Sequence, residues 1–400
     1  MSIYVYEGTR FQQDGAEGQS ILRKAHAAKR RPHCICVPGD GPPMYVAKID
    51  DRYVLKRMPG TGALHAGTCE SFEPPAELTG LGDVIGSAIQ LDPESGTTNL
   101  KLDFSLKKVP GRAPPTASGT EADTVRTDGQ KLTLRGLLHY LWDEGGLTHW
   151  PPAHEGRRTW IAVHRALTEA AAGKSAKGHR LTDRILIPEP FQTEHKAEIA
   201  TRRSAHLAAA MANPGRELFI MVAELKALEA GRSGFRAVVK QLPDYPVLID
   251  TELNKRLQKR FAAELAMWDA VEEAKLMMVA TFTVPGHGAA TLEELAVMVV
   301  DSHWLPFETM LEKQLADELI AGGRRFQKGL RYNLPMNRPL ASFVLLDAGP
   351  EPVAMYVVPA NADEEYRVAL GELTNTKHTG SWIWETQEGE HPPIPERAVQ

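Results

Sequence analysis

Three cysteines constrain this chain more than any other feature. Cys34, Cys36 and Cys69 are the only thiols in its 400 residues. An odd number of cysteines crowded into one segment is not the framework of a disulfide-stapled secreted protein, whereas metal binding needs such crowding. Zinc takes about four nitrogen or sulfur ligands in a tetrahedron, usually from two short arms that a hairpin brings together. Here the arms are Cys34-x-Cys36 and His65-x-x-x-Cys69. Between them MYVAK and RYVLKR alternate around Ile49-Asp50-Asp51, a pattern that predicts an antiparallel hairpin returning His65 toward Cys36. The prolines and glycines of VPGDGPP and PGTGA let the backbone bend beside each arm. The expected cofactor is therefore Zn²⁺, held by Cys34, Cys36, His65 and Cys69, with His33 as the spare ligand. The competing reading is a set of reduced core thiols, which pack like small hydrophobes. The polar, turn-forming neighbours of Cys34 and Cys36 argue against it.

A chain this long exceeds what one core normally organises, so more than one domain is expected. Hydrophobic residues at 42% and charged residues at 24% are ordinary for a globular protein and exclude a fibrous or wholly disordered chain. The expected class is α+β and multi-domain: a small zinc-binding β-rich domain over 1–108, a linker over 109–130, a helical middle over 131–200, an α/β domain over 201–390 and a tail over 391–400. The linker rests on VPGRAPPTASGTEADTVRTDGQ, which has almost no large apolar side chains to repay ordering. Leu134, Leu137, Leu138 and Leu141 predict one helix, and Trp160, Val163 and Leu167 predict a second. RILIPEPF could then supply the wing of a winged-helix unit. LFIMVAELKAL and FRAVVK predict a hairpin, residues 250–272 a covering helix, and KLMMVATFTV a strand. A helix over Phe307–Ile320 leads into three strand-like runs, FQKGLRYN, ASFVLLD and VAMYVVP. No stretch has the signature of a secretory leader or a membrane span, so a cytoplasmic protein with no membrane partner is expected.

The net charge of -5 supplies no general attraction to nucleic acid, so any such affinity must be local. Two basic clusters are candidates: Arg23, Lys24, Lys29, Arg30 and Arg31 ahead of the cysteines, and Arg324, Arg325, Lys328 and Arg331 near the end. Familiar catalytic motifs fail. Gly173-Lys174-Ser175 lacks the glycine that a phosphate loop needs five positions earlier, and G-x-G-x-x-G, G-x-S-x-G and H-E-x-x-H do not occur. His139, His149 and His154 read as ordinary scattered histidines. Glu224-x-Lys226 resembles half of a nuclease site without a partner carboxylate.

With the segments HCICVPGDGPPMYVAKIDDRYVLKRMPGTGALHAGTC, LTLRGLLHYLWDEGGLTHWPP and ILIPEPF, the chain resembles domain-of-unknown-function family 1173 over nearly its whole length. That resemblance implies a setting on integrative conjugative elements and plasmids and no established activity. The cysteine arms are also similar to the zinc ribbon that precedes a nuclease-like domain in bacterial competence proteins. The C-terminal order of helix, GGRRFQKGLRYN, ASFVLLD, VAMYVV and EEYRVAL is similar to a restriction-endonuclease core. That core uses an Asp at the second strand and an acid-x-Lys triplet on the third. Ser342 and Met355-Tyr356-Val357 stand in those places, so the resemblance implies a degenerate site. The expectation is a non-catalytic, zinc-containing, nucleic-acid-associated protein binding DNA or RNA, with other mobile-element proteins as further partners. The alternatives are a metal-dependent nuclease using Glu318 and Asp347, and an adaptor of conjugation machinery presenting Trp142, Trp150 and Trp160.

Overall fold

β1 (Tyr4–Tyr6) pairs antiparallel with β2 (Thr9–Phe11) and with β3 (His33–Cys34), which sets Tyr4 opposite Cys34. The computed structural model describes residues 3–49, 51–58, 60–92, 97–108, 129–212, 214–231, 234–285, 288–376 and 379–398. α1 (Gly15–Ala27) connects β2 to β3; it buries Leu22 and Ala25 and leaves Arg23 and Lys24 in solvent. The predicted hairpin is present as β4 (Met44–Ile49) and β5 (Arg52–Arg57), paired from Met44 opposite Arg57 to Ile49 opposite Arg52. β6 (Ile89–Asp92) and β7 (Thr97–Leu100) form a second hairpin. The expected linker lies almost entirely outside the described residues.

α2 (Leu134–Glu144) begins at Thr133, whose hydroxyl accepts the Gly136 N–H at 2.9 Å, a cap that satisfies one of the free amides of the first turn. It buries Leu137, Leu138, Leu141 and Trp142. β8 (His149–Trp150) and α3 (Trp160–Ala171) follow, then β9 (Lys174–Ala176) and β10 (His179–Arg180). β9 runs parallel to β7, so one four-stranded sheet draws on both sides of residues 109–128. RILIPEPF yields only β11 (Ile185–Leu186), laid parallel on the first strand of the next unit. It does not fold back into a wing, because Pro188 and Pro190 deny it further ladder bonds. α4 (Lys196–His206) and α5 (Ala208–Ala212) lead into that unit.

β12 (Phe219–Gly231), β13 (Gly234–Val239), β14 (Val247–Ile249), β15 (Lys275–Thr283) and β16 (Ala290–Val300) close into a five-stranded barrel, with α6 (Thr251–Arg260) and α7 (Ala262–Ala270) between β14 and β15. The strand order is β12-β13-β14-β16-β15, and β15 pairs back onto β12. Every pairing in this ring is antiparallel except β14 with β16. Closure depends on the length of β12. Phe219 to Leu225 pair with β15, the register shifts between Leu225 and Ala227, and the remainder pairs with β13; a bulge of this kind bends a strand and lets it serve two neighbours. The predicted continuous helix over 250–272 is broken at Phe261, which ends α6 and precedes α7. β14 and β16 were not anticipated from the sequence.

The C-terminal unit runs α8 (Met310–Ala321), β17 (Phe326–Lys328), β18 (Phe343–Leu345), β19 (Val353–Val358), α9 (Glu364–Thr374) and β20 (Gly380–Glu385). β17, β18 and β19 are antiparallel, β20 is parallel to β19, and β8 adds to the free edge of β17. No helix among the described residues is long and apolar enough to cross a membrane.

The barrel core is filled by aromatic and aliphatic side chains, with the Phe219 and Phe282 rings 6.1 Å apart and both fully buried. Phe282→Ala should cost about 3–5 kcal/mol through lost burial and the cavity left behind. A urea melt followed by barrel-sensitive circular dichroism checks this; a change below about 1 kcal/mol contradicts a closed, packed barrel.

Candidate metal centre and the adjoining cleft

The first arm is shaped by β3 and the turn after it. Cys34 donates its N–H to Pro42 O at 2.9 Å and Met44 donates to Pro32 O at 2.8 Å, which folds residues 35–43 into a loop beside the thiols. Gly41 makes this possible: its φ is +60°, and a Cβ there would stand 1.8 Å from the Cys34 carbonyl oxygen. The second arm leaves β5 through a single 3₁₀ turn, Gly62–Leu64, after which the Cys69 N–H bonds to Ala66 O at 2.7 Å. The second arm directs backbone amides at two of the sulfurs. Ala66 N–H points to Cys36 Sγ at 3.5 Å and Ser71 N–H to Cys69 Sγ at 3.4 Å.

All four expected ligands meet. Their ligand atoms lie within 4.8 Å of one another, with Cys34 Sγ to Cys69 Sγ at 3.7 Å, Cys36 Sγ to His65 Nδ1 at 3.4 Å and Cys69 Sγ to His65 Nδ1 at 3.6 Å. Zinc bonds of about 2.3 Å to sulfur and 2.0–2.1 Å to nitrogen give tetrahedral edges of about 3.8 Å between sulfurs and about 3.5 Å between sulfur and nitrogen. These three spacings match those edges, and 3.7 Å is far too long for a covalent disulfide. The cluster can therefore hold a metal ion. His33 is turned away, with Nδ1 3.0 Å from Gly41 O, and is not one of the four.

Burial sets the electrostatics of the cluster. It pushes the Cys34 thiol well above its usual range, raises that of Cys69 and, with Arg57 nearby, lowers His65 to about 4. A neutral His65 has its Nδ1 lone pair free for a cation. The three thiols, one buried and two half-buried, would bind a metal as thiolates, and a cation would stabilise that charged form. The cluster is also a junction. Cys34 lies in the core of Tyr4, Phe11, Leu22 and Met44, while Cys69 packs against that core and against the one formed by Phe72, Leu78, Val344 and Tyr356.

The two basic clusters have different fates. Arg23, Lys24, Lys29, Arg30 and Arg31 are all exposed; Arg30 pairs with Glu7 at 2.5 Å and Arg23 lies 6.0 Å from the Tyr53 ring centre. The C-terminal cluster is not a surface patch, and the expectation for it is corrected. Arg324 is buried and donates to Asp347 at 2.8 Å and to Pro395 O at 2.6 Å. Lys328 is buried, paired with Glu312 at 3.3 Å and bonded to Gly329 O at 2.8 Å. Arg331 is half-buried and bound by Glu308 and the carbonyls of Pro335 and Arg338. Arg325, half-buried, donates to Thr68 O at 2.9 Å. Phosphate would have to displace these partners, because desolvated charges are kept only when satisfied.

Other candidates are likewise committed. Asp347 serves Arg324 and the Arg325 N–H, while Glu318 accepts from His391 at 2.8 Å. Glu224 is buried and paired with Lys240 at 2.8 Å, and Lys226 projects into solvent. Trp142 and Trp150 are core residues, and Trp160 is half-buried with its indole N–H on Pro188 O at 3.0 Å. His139 accepts the Tyr332 N–H at 3.0 Å, and burial lowers it to about 3.

Sequence reasoning missed a cleft of about 1750 Å³ whose walls include Cys69, Glu73, Tyr45, Tyr140, Asp143, Glu144 and His149. Asp143 accepts from the hydroxyls of Thr148 at 2.5 Å and Tyr332 at 2.7 Å and from the Gln327 amide at 3.3 Å. Burial raises Glu73 to about 7 despite its ion pair with Arg57, and Asp143 and Glu144 add to the rise. Glu144 is opposite in sense: burial disfavours its charge, but Lys174 and Lys56 outweigh this and hold it well below the carboxylate range. No local motif marks these residues, because segments far apart in the chain meet to make the cleft.

A carboxyl raised in this way binds its proton more tightly in the folded chain than in the unfolded one. Its contribution to stability falls as pH rises from about 4.5, the ordinary value, through about 7. Glu73→Gln should flatten the loss of stability across that window relative to the unsubstituted protein, read as denaturation midpoints at pH 5 and pH 7.5. Parallel slopes would contradict a buried, proton-retaining Glu73.

A family model described as Protein of unknown function (DUF1173) matches residues 4–387. No curated protein and no solved structure matches the chain.

Proposed function

The chain belongs to the DUF1173 family of proteins of unknown function, and from that premise we propose that it is a zinc-containing, non-catalytic protein that associates with nucleic acid through the exposed cationic face of α1. The observation that carries this reading is the placement of Arg23, Lys24, Lys29, Arg30 and Arg31 in solvent, on the helix and turn that lead directly into the metal-ligand arm. Only Arg30 of the five has an ion-pair partner among the described residues. Three thiolate-type ligands and one imidazole are a donor set suited to zinc, and a bound ion would fix the angle at which this basic segment leaves the hairpin.

The non-catalytic part of the reading is supported by the C-terminal unit. Its order of helix, three antiparallel strands, helix and parallel strand is the one that the restriction-endonuclease resemblance implies. At the start of β18 stands Ser342, and β19 carries Met355, Tyr356 and Val357. The charges at that end of the sheet, Glu312 and Lys328, are buried and paired with each other, so Glu312 is not an open carboxylate for Mg²⁺. A setting on a mobile element, with other element-encoded proteins as partners, is what the family resemblance implies.

A second reading, an enzyme with a divergent site, is favoured by the cleft, where Glu73 retains a proton near neutral pH beside the hydrogen-bonded carboxylate of Asp143. Unlike environments for two carboxyls suit acid and base roles. Hydrolysis of nucleic acid that disappears in both Glu73→Gln and Asp143→Asn would establish this reading in place of the first.

Binding of labelled DNA and RNA at 50 and 200 mM salt tests the main proposal. When Arg23, Lys24, Arg30 and Arg31 become alanine, the log–log salt slope should shrink by roughly 0.7–0.9 for each phosphate left without its cation. An unchanged slope, or no binding by the unsubstituted protein at low salt, rejects it.

A further inference from the structure

The barrel presents a surface of its own. Numbered within the barrel, its five strands close in the order 1-2-3-5-4, the third and fifth are parallel, and the helices α6 and α7 connect the third to the fourth. This is the connectivity of the oligonucleotide/oligosaccharide-binding barrel, whose ligands lie across the outer face of the second and third strands. Connectivity alone does not establish a function, so the face must be judged by its side chains.

On β13 and β14, Ala237, Val239, Val247 and Ile249 point into the core and are buried. The alternate residues therefore face outward. Pairing across strands aligns Glu229 of β12 with Arg236 of β13, Arg236 with Leu248 of β14, and Leu248 with Thr291 of β16. One transverse row thus crosses four strands, and Leu248 is 37% exposed in its middle. Val238, half-buried opposite Ala227, forms a second apolar position beside it. Lys226, exposed at the bulge of β12, makes no ion pair among the described residues, and Lys240 lies at the end of β13. Arg236 is held on the face by donating to Pro243 O at 3.3 Å. With Glu224 already satisfied by Lys240, Glu229 is the one acid in the row.

We propose that the outer face of β13 and β14 is a binding site for single-stranded nucleic acid, with Lys226 and Arg236 contacting phosphate and Leu248 and Val238 packing against bases. The choice of single strand over duplex follows from the apolar centre. A duplex hides its base faces and would leave Leu248 against a charged backbone, whereas a single strand offers base faces and phosphates together. The inference rests on the nucleic-acid reading above and adds the substrate class and a second surface.

The experiment uses the 400-residue protein as purified and fluorescence anisotropy with a labelled single strand of about 15 nucleotides, within the span of one or two such barrels, and the duplex of the same sequence. Lys226→Ala with Arg236→Ala, and separately Leu248→Asp, should each weaken single-strand binding at least tenfold and leave duplex binding within twofold. Alanines at Arg23 and Lys24 should weaken both ligands. Hydrogen exchange on the unsubstituted protein, which needs no variant to fold, should slow in residues 235–239 and 247–249 when the single strand is added. Unchanged single-strand affinity in the barrel variants, with weakening confined to the α1 variant, would overturn the site and spare the nucleic-acid reading. Failure of the unsubstituted protein to bind either ligand would overturn both. Protection of the same strands by raising protein concentration alone would assign the face to self-association and overturn the proposal.

Discussion

Four side chains from two short arms, brought within tetrahedral spacing of one another, organise the N-terminal third of this protein. The hairpin of β4 and β5 buries Met44, Tyr45 and Leu55, and the segments at its two ends carry the four clustered side chains. Cys34 belongs to the N-terminal core and Cys69 touches the C-terminal one. A cation bound there would add a link between two cores that already meet at Cys69. Binding energy of that kind is folding energy, because the preformed site does not exist in the unfolded chain.

Away from that junction, the C-terminal unit carries several of its charges inside. Glu312 with Lys328, Glu308 with Arg331 and Asp347 with Arg324 are ion pairs with little solvent contact. Such pairs stabilise little relative to apolar packing, but removing one partner leaves a stranded charge at a cost of about 3–5 kcal/mol. They fix how α8, β17 and the loop after β17 meet, and they take out of circulation basic residues that a linear reading assigns to a ligand. The same logic separates α1, where cations face water, from the C-terminal turn, where they do not.

The cluster of Cys34, Cys36, His65 and Cys69 was legible because zinc chemistry demands particular residue types at short spacing and a hairpin between them, and strand alternation is a local signal. The helices at Leu134 and Trp160 were legible for the same reason. Burial of Arg324 and Lys328 was not, since a basic run reads alike on a surface or in an ion-paired interior until its acidic partners, Asp347 and Glu312, are placed. The barrel was missed because β14 is only three residues long and TLEELAVMVV carries acids amid its apolar run, so neither announces a strand locally. Its closure depends on the bulge near Leu225 and on pairings between β12 and β15, which lie far apart in the chain. The cleft was invisible for a related reason: Glu73, Asp143 and His149 come from segments that only the tertiary fold brings together.

The most direct test of this account is the metal content of the purified, unsubstituted protein, measured by inductively coupled plasma mass spectrometry after exhaustive desalting. The spacing of Cys34, Cys36, His65 and Cys69 predicts one zinc ion per chain, released when Cys36 and Cys69 are both replaced by serine. A preparation that is folded by circular dichroism and contains no stoichiometric zinc or other transition metal would contradict it.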